Sequence, residues 1–444
     1  MSKKIIICIT ALLFSGFIYA KGAFVEVGDP SFFPDDFTYL VSMKIDNDGN
    51  IYAAYIQDDY YFSVAKFDGE KWSDVSEQKF SGGIGNVPET PDVWPYVSFA
   101  LSSDGVPFVA FPEAQNYSLN VMKFDSESGK WEYVGKSNIT DYKTNYTSIA
   151  VDSEGVPYVV FSGCKSDDCK RISVDQEEYT IDTSNVMKFN GTEWEYVGEP
   201  MSGLETEGTL NNKILLNSND IPIISFNYKN YFVSVMKYNG SEWGMVGDLD
   251  EAGGGNLFID KEDNLYLETY KDGIERLIIC DNNEWFDFVD LPEKGRKSFA
   301  VDEENRIYAA TDQQSTGLSV NRLNEEGIWE VVGDQEYIHE SVHTALIETD
   351  KNNIPYVAFA EKKGVVLMKY DPEAGETTDD SDGDISDEDS AVDEDETADE
   401  NKNDDNDTAV DENSISDEET ASDEDSVPVN DKDSGSSGCT VVVM

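Results

Sequence analysis

Histidine is almost absent from this sequence, which has two in 444 residues, His339 and His343. Basic residues are also scarce: 32 lysines and arginines stand against 91 aspartates and glutamates, for a formal net charge of −59. A chain of this charge repels phosphate groups, so we expect neither nucleic acid nor an anionic membrane surface as a partner. No apolar run is long enough to cross a membrane comfortably, and we predict no transmembrane segment.

A repeated motif accounts for most of the chain. Its clearest copy has an apolar segment at 148–151, PYVVF at 157–161, VMKFNG at 186–191, and WEYVG at 194–198. The segments are short, rich in Val, Ile, Tyr and Phe, and bounded by Asn, Asp and Gly, as β-strands are. A period of roughly 40–60 residues with four short strands per unit is typical of a β-propeller.

Counting the motif gives seven first-strand turns but six tryptophans at the start of a fourth strand. The missing fourth strand lies at the N-terminus, where FVEVG at 24–28 matches WEYVG with Phe24 in place of Trp. We therefore predict an all-β fold, a single seven-bladed β-propeller of four-stranded antiparallel blades at 21–371, whose last blade is closed by the N-terminal strand. An open array or a six-bladed ring is the alternative. The tryptophans, which we expect to fill the space between blades, are Trp72, Trp131, Trp194, Trp243, Trp285 and Trp329, and the turn residues are Gly49, Gly105, Gly155, Asp220, Asp263, Asn305 and Asn353.

The repeat PYVAF…VMKFNG..W..VG resembles secreted bacterial β-propeller repeat proteins that are loosely related to kelch-like and sialidase-like propellers. This resemblance covers nearly the whole repeat region and implies the fold and a bacterial source. It does not imply a ligand, because propellers host many activities. The glycine doublets of true kelch repeats and the sialidase Asp box are absent.

The first twenty residues have the features of a secretory signal peptide. Lys3 and Lys4 precede an apolar run at 5–17, and Ala20 is a suitable cleavage position. We therefore expect a protein that is secreted or displayed on the cell surface.

Export makes disulfides possible. Cys164 and Cys169 flank a short polar loop, and we predict a disulfide between them, with two loop thiols as the alternative. Cys280 lies in an apolar strand and is expected to be a small buried residue.

The composition changes at the end of the repeats. From 371 to 438 there are 29 Asp and Glu against two Lys, and no aromatic residue follows Tyr370. The net charge of −27 in this segment leaves −32 of the −59 to the rest of the chain. A segment of this composition cannot bury a core, so we predict a disordered acidic tail at 372–444. The tail resembles the Cys-containing surface-sorting tails of some exported bacterial proteins, which would make Cys439 an anchor; the alternative is that this resemblance is accidental.

Both histidines belong to a literal match to the zinc-protease motif H-E-x-x-H, formed by His339, Glu340 and His343. The motif works on a helix, where the i, i+4 spacing places both imidazoles on one face. The repeat register instead places it in a loop before the first strand of the last unit. We therefore predict no metal site and no cofactor, and keep a zinc protease only as a remote alternative.

Loop lengths predict where a ligand binds. The turns that join first to second and third to fourth strands are uniformly short, whereas the loops at the other end, here called the variable-loop face, differ widely in length. No catalytic set is evident, so we predict a monomeric, non-enzymatic module that binds or adheres to an extracellular glycan or protein through this face. The alternative is a glycan-active hydrolase or lyase that uses carboxylates of the central channel. The candidate ligand-binding residues are aromatic: Tyr60, Tyr61, Trp94, Tyr117, Tyr142, Tyr179, Tyr228 and Tyr231.

Overall fold

A computed structural model describes the sheets and most of the turns of the repeat region. The described residues are 22–33, 39–56, 62–76, 97–113, 116–163, 170–174, 177–181, 183–199, 209–228, 232–249, 252–292, 294–312, 317–333, 344–361 and 364–374. The chain divides into two units, Met1–Thr378 and Asp379–Met444, and all described residues belong to the first. Within these ranges the one helix is a 3-10 turn at Pro30–Phe32, and no helix is long and apolar enough to span a membrane.

The described residues form thirty strands. In chain order the first fifteen are β1 (Ala23–Glu26), β2 (Tyr39–Ile45), β3 (Ile51–Ile56), β4 (Phe62–Phe67), β5 (Trp72–Asp74), β6 (Ser98–Leu101), β7 (Pro107–Pro112), β8 (Leu119–Asp125), β9 (Lys130–Tyr133), β10 (Thr144–Val151), β11 (Pro157–Gly163), β12 (Lys170–Val174), β13 (Glu177–Ile181), β14 (Thr183–Phe189) and β15 (Trp194–Tyr196). The others are β16 (Leu210–Leu216), β17 (Pro222–Tyr228), β18 (Phe232–Tyr238), β19 (Trp243–Met245), β20 (Gly253–Ile259), β21 (Leu265–Lys271), β22 (Ile274–Asp281), β23 (Glu284–Asp290), β24 (Arg296–Val301), β25 (Ile307–Asp312), β26 (Leu318–Leu323), β27 (Trp329–Val331), β28 (Ala345–Thr349), β29 (Pro355–Glu361) and β30 (Gly364–Asp371).

Most strands belong to four-stranded antiparallel sheets whose neighbours are consecutive in the chain, except that the β12–β13 hairpin separates β11 from β14 and that β1 joins the last sheet. These sheets are β2–β5, β6–β9, β10-β11-β14-β15, β24–β27 and β28-β29-β30-β1, while β16–β23 form one eight-stranded sheet. A single residue pair, Phe232 with Gly253, joins the two halves of the eight-stranded sheet. In the last sheet the N-terminal strand pairs with β30, with Phe24 opposite Tyr370. The predicted all-β fold, its four-stranded antiparallel sheets and the pairing of the N-terminal strand with the last unit are confirmed.

The turns between first and second strands share one conformation. All seven predicted turn residues have positive φ, from 57° at Asp220 to 86° at Gly49, a region that Gly, Asn and Asp tolerate best. The residue that precedes each turn caps it. Asp152, for example, accepts hydrogen bonds through Oδ1 from the backbone N–H of Glu154 (3.0 Å) and Val156 (2.8 Å). The capping side chains, which are Ser102 and Asn217 at two of the turns and aspartates at the others, therefore stabilise hairpin turns, as the sequence predicted.

The core lies between consecutive sheets. Each of seven clusters of buried residues in the described ranges draws on two successive four-stranded arrays, and one of them joins the last array to the first. The fourth-strand tryptophans connect the arrays: Trp194 is 8% exposed, and its Nε1 donates to the carbonyl of Val134 in the preceding array at 2.8 Å. The following glycine makes room for the next tryptophan, because a Cβ on Gly198 would lie 2.9 Å from Cδ1 of Trp243. The predicted role of the tryptophans is confirmed.

The first strands line the inside of the fold. Contacts run from β2 through β6, β10, β16, β20, β24 and β28 and return to β2. Among the described residues the inner edge of a first strand has no partner strand, except where Gly253 of β20 pairs with β18. Serines of the preceding first strand satisfy some of the N–H groups at this edge. The hydroxyl of Ser98 accepts from the N–H of Ile149 at 3.0 Å, and that of Ser148 accepts from Ile214 at 3.3 Å. The space that the first strands surround is called the central cavity below.

Candidate functional site

The structure describes part of the predicted ligand-binding set. Tyr179 lies on β13, opposite Ile172, in a hairpin that occupies the long polar loop expected after Phe161. Tyr228 ends β17, and its ring centroid lies 6.4 Å from that of Phe232. The predictions that lie outside the described residues concern Tyr60, Tyr61, Trp94 and Tyr231, the cysteines Cys164, Cys169 and Cys439, and the motif residues His339, Glu340 and His343.

Tyr117 contacts the segment that follows Tyr142 on the variable-loop face, and this group with Tyr196 is called the tyrosine cluster. Thr144 fixes the backbone of Tyr117, because both its N–H and its hydroxyl donate to the Tyr117 carbonyl at 2.8 Å. Lys143 Nζ lies 5.1 Å from the centroid of the Tyr117 ring, a cation–π distance. The Tyr142 hydroxyl lies 2.5 Å from the hydroxyl of Tyr196, a residue that the sequence analysis did not single out.

Tyr142 and Tyr196 offer uncharged phenol hydroxyls as hydrogen-bonding groups. Burial raises the pKa of Tyr142, and the hydrogen bond with Tyr196 raises it further, so the phenol stays protonated well above neutral pH. The side chain of Tyr196 remains 46% exposed. Tyrosine hydroxyls beside an accessible ring suit recognition of a sugar or of a protein surface.

A buried polar network supports the same end of the sheets. Asn212 Nδ2 donates to the carbonyl of Tyr146 (3.0 Å) and to Ser162 Oγ (2.8 Å), and its Oδ1 accepts from Ser184 Oγ at 2.6 Å. Ser162 Oγ donates in turn to the carbonyl of Thr209 at 2.6 Å. Networks whose members are mutually hydrogen-bonded fix one arrangement, so this one holds the strand ends beneath the cluster rigidly.

At the opposite end of the sheets, where the short turns lie, a Tyr–Lys pair recurs. This pair accounts for the tyrosine and the lysine of the repeated motif. The tyrosine of PYVVF and the lysine of VMKFNG face each other across strands, as Tyr158 and Lys188 do. Lys188 Nζ lies 6.0 Å from the Tyr158 ring centroid, and Lys66 Nζ lies 5.3 Å from that of Tyr52. Cavities of about 260 and 360 Å³ occur between neighbouring arrays at this end. The two cavities are lined by equivalent positions of the repeat, such as Tyr158 and Tyr308. This indicates that they are a feature of the repeated packing and not a specific binding site.

Two first strands that are distant in the chain each carry a lysine. Lys44 is on β2 and Lys213 is on β16, which stand on opposite sides of the ring of first strands. Lys44 forms an ion pair with Glu348 of β28. Lys213 is exposed to solvent. Desolvation lowers the pKa of Lys213, and the positive charge of Lys44 lowers it further.

A second charged group is buried between β20, β21, β22 and β24. Glu268 accepts from Asn256 Nδ2 at 2.7 Å, and Lys297, whose side chain is fully buried, lies 2.5 Å from Glu275 Oε2. Burial raises the pKa of Glu268, and its contacts with Asn256 and Lys297 oppose that shift. Asn256, Glu268 and Glu275 belong to one unit and Lys297 to the next, at unrelated motif positions, so the repeat gave no signal for them.

The structure also bears on metal and thiol chemistry. In the described part of the chain no three His, Cys, Asp or Glu side chains are close enough together to hold a metal ion. Cys280 is a free thiol on β22 whose pKa is raised by burial. The sequence predicted that Cys280 is buried, but it is partly exposed. The reason is that it lies near the end of its strand, opposite Trp285 on the outermost strand of the sheet.

No protein-family model matches this sequence, and no curated protein matches it. Solved structures similar in fold include a puromycin-hydrolysing peptidase from Mycobacterium tuberculosis (TM-score 0.52, 10% identity, 80% of this chain and 55% of that one). They also include a polysaccharide lyase of a new family, an ulvan lyase (TM-score 0.50, 14% identity, 80% and 95%). A puromycin hydrolase gives a TM-score of 0.51 at 9% identity, over 77% and 53%. The chain spans about half the length of the peptidase and the hydrolase. At these identities the likeness shows the fold alone, which is a propeller-like all-β fold.

Proposed function

We propose that this chain is an exported seven-bladed β-propeller that binds an extracellular glycan or protein through its variable-loop face. The cyclic contacts of the first strands, the core cluster shared by the last and first arrays, and the pairing of β1 with β30 support seven closed blades. The single observation that carries the binding role is the cluster of Tyr117, Lys143, Tyr142 and Tyr196.

Display outside the cell follows from the signal peptide at 1–20. In this view the acidic tail is a solvated spacer that carries Cys439 as its anchor, and Cys164 and Cys169 form a disulfide in a loop of the binding face. Peptide mass mapping of the non-reduced protein tests the disulfide. Cell fractionation of the wild type and a Cys439→Ser variant tests the anchor.

Binding is tested with the full chain on panels of glycans and extracellular proteins, followed by calorimetry of each hit. We expect Tyr196→Ala to weaken binding about tenfold, the effect of removing one contributing aromatic side chain. Tyr133→Ala is the matched control, because Tyr133 occupies the equivalent position of β9 with 42% exposure. Equal losses in both variants, or no ligand on any panel, would reject the proposal.

A glycan-active enzyme is the second candidate, since the fold is shared with a polysaccharide lyase and the half-buried Glu268 has a raised pKa beside Lys297. On the described first strands the one carboxylate is Glu348, and it is held by Lys44. Turnover of a polysaccharide that is lost in Glu268→Gln would favour the enzyme, whereas saturable binding without turnover favours the module. Zinc analysis of the purified protein tests the remote protease alternative.

A further inference from the structure

We propose that the β20–β23 and β24–β27 arrays hold between them a binding site for a neutral sugar ring, with Tyr270 as the stacking surface and Glu268 and Glu275 as acceptors of sugar hydroxyls. The inference deepens the proposed function and rests on it for the class of ligand. The site lies at the variable-loop face, because β21 ends and β22 begins there, joined by a short turn at 272–273. Tyr270 lies directly opposite Glu275 beside this turn and is 56% exposed.

With the strand registers known, equivalent positions of the second strands can be compared. Glu268 is the fourth residue of the second strand β21. The fourth residue of each other second strand is small or apolar and at most 2% exposed: Ala54, Ala110, Val160, Ser225, Ala310 and Ala358. The arrays therefore pack at this position without a charge, and the repeated packing does not require the carboxylate of Glu268. Its presence indicates a role that is specific to this array.

Hydrogen bonds join Glu268 to the neighbouring array. Its Oε2 accepts from Asn256 Nδ2 at 2.7 Å, and the same Nδ2 donates to the Lys297 carbonyl at 2.9 Å. Lys297, whose side chain is fully buried, donates through Nζ to Glu275 Oε2 at 2.5 Å and to the Gly295 carbonyl at 3.0 Å. Among the described residues these bonds reach one oxygen of each carboxylate, so the other oxygen keeps its capacity to accept from a ligand.

Both carboxylates face the β24–β27 array. Tyr266 and Leu277 belong to the core cluster that the two arrays share. Residues two apart lie on one face of a strand, so Glu268 shares the face of Tyr266 and Glu275 shares the face of Leu277. Glu268 is half-buried and the side chain of Glu275 is 25% exposed. A ligand at the variable-loop face can therefore reach both groups.

The β24–β27 array presents an unpartnered hydroxyl to the same interface. Thr311 lies directly opposite Lys297, and both side chains share the face of Phe299 and Ile307, which pack in the same core cluster. Thr311 is 0% exposed, and no described residue gives its Oγ1 a hydrogen-bond partner. Most other second strands carry an aromatic residue at this fifth position: Tyr55, Phe111, Phe161, Phe226 and Phe359. A buried hydroxyl without a partner is unfavourable, and a sugar hydroxyl that enters the interface beside Glu268 would satisfy it.

The groups at this site select a neutral sugar. The two carboxylates repel an acidic saccharide, and the ammonium group of Lys297 beside them repels a cationic amino sugar. Carboxylates form charge-assisted hydrogen bonds with hydroxyl donors, which are stronger than bonds between neutral groups. The exposed ring of Tyr270 offers an apolar surface on which the C–H groups of a sugar can stack. A neutral pyranose has hydroxyls along its edge and C–H groups on its face, which matches this arrangement.

Titration calorimetry of the full chain with oligosaccharides tests the site. The probes are neutral hexasaccharides of glucose, galactose, mannose or xylose, with hexasaccharides of galacturonate and of chitosan as the anionic and cationic comparisons. We expect a neutral probe to bind, and Glu268→Ala and Tyr270→Ala each to weaken its binding at least about tenfold. The matched controls Glu132→Ala and Tyr133→Ala, which remove an exposed carboxylate and an exposed ring from β9, should leave the affinity unchanged. Binding of charged probes alone, binding of no probe, or wild-type affinity in Glu268→Ala would overturn the proposal.

Melting curves separate loss of binding from loss of fold. Glu268→Ala introduces the residue found at this position in several other arrays, so its melting temperature should stay close to that of the wild type. Glu268→Gln keeps the side-chain volume and an acceptor for Asn256 but removes the charge, and it should also weaken binding. It provides the same test if the alanine variant is destabilised.

Comparison with Tyr196→Ala separates this inference from the proposed function. If Tyr196→Ala weakens binding while Glu268→Ala and Tyr270→Ala do not, the proposed function stands and this inference is wrong. The reverse result retains the site between the two arrays and rejects the tyrosine cluster as the binding surface.

Discussion

Closure of the last sheet by the N-terminal strand can be tested with one side chain. Phe24 is 5% exposed, and its ring centroid lies 5.6 Å from that of Tyr370. Its ring also packs closely on Gly333 of the preceding unit, where an added Cβ would lie 3.3 Å from Cδ2 of Phe24. Replacing a buried phenylalanine by alanine costs about 3–5 kcal/mol when the cavity cannot collapse. The walls here are hydrogen-bonded sheets, so we expect Phe24→Ala to lower the free energy of unfolding by about 3–4 kcal/mol.

Urea denaturation followed by tryptophan fluorescence measures this loss. Tyr133→Ala, on the equivalent but exposed outer strand β9, should change stability by no more than about 0.5 kcal/mol. Phe24→Trp restores the side chain found at this position in the other units and should stay within about 1 kcal/mol of the wild type. A cost below about 1 kcal/mol for Phe24→Ala would mean that β1 does not complete the last sheet, and the closed ring would be wrong.

Three further predictions concern the packing between blades and the central cavity. Trp194→Phe removes the hydrogen bond to the Val134 carbonyl and leaves that buried oxygen without its donor, so we expect a loss of about 1–3 kcal/mol in urea denaturation. Gly198→Ala adds a Cβ at a φ of +74° and 2.9 Å from Trp243, so we expect at least about 1 kcal/mol of destabilisation; a melting temperature equal to that of the wild type would contradict this packing. Lys213→Met should stabilise the protein at pH values below the lowered pKa of Lys213, where the folded and unfolded chains both carry the charge and folding must desolvate it. Since its pKa is lowered in the folded state, this gain should shrink as the pH rises through the lowered pKa toward 10.5, and a pH-independent difference in unfolding free energy would argue against a desolvated lysine.

The sequence by itself determined the parts of this fold that depend on near neighbours. The seven turn residues were identified as Gly, Asp or Asn, and all have the positive φ that favours these residues. Trp194 could be assigned to the contact between units because each unit repeats the same local packing, whereas the role of the VG glycine emerged only from the structure. Phe24 was placed in the last unit by its match to that pattern.

Only the tertiary structure decided which side chains meet across units. Lys44 of the first array pairs with Glu348 of the last array, and no periodicity relates the two residues, because they approach only where the last array packs against the first. Tyr142 and Tyr196 also meet only through tertiary packing. Tyr142 lies in the segment that connects two units, and Tyr196 lies on the outer strand of the second of those units. Strand period and turn chemistry act over a few residues, whereas these contacts depend on how successive sheets pack around the central cavity. That packing is set by the summed burial of all the units, which no single segment of the sequence encodes.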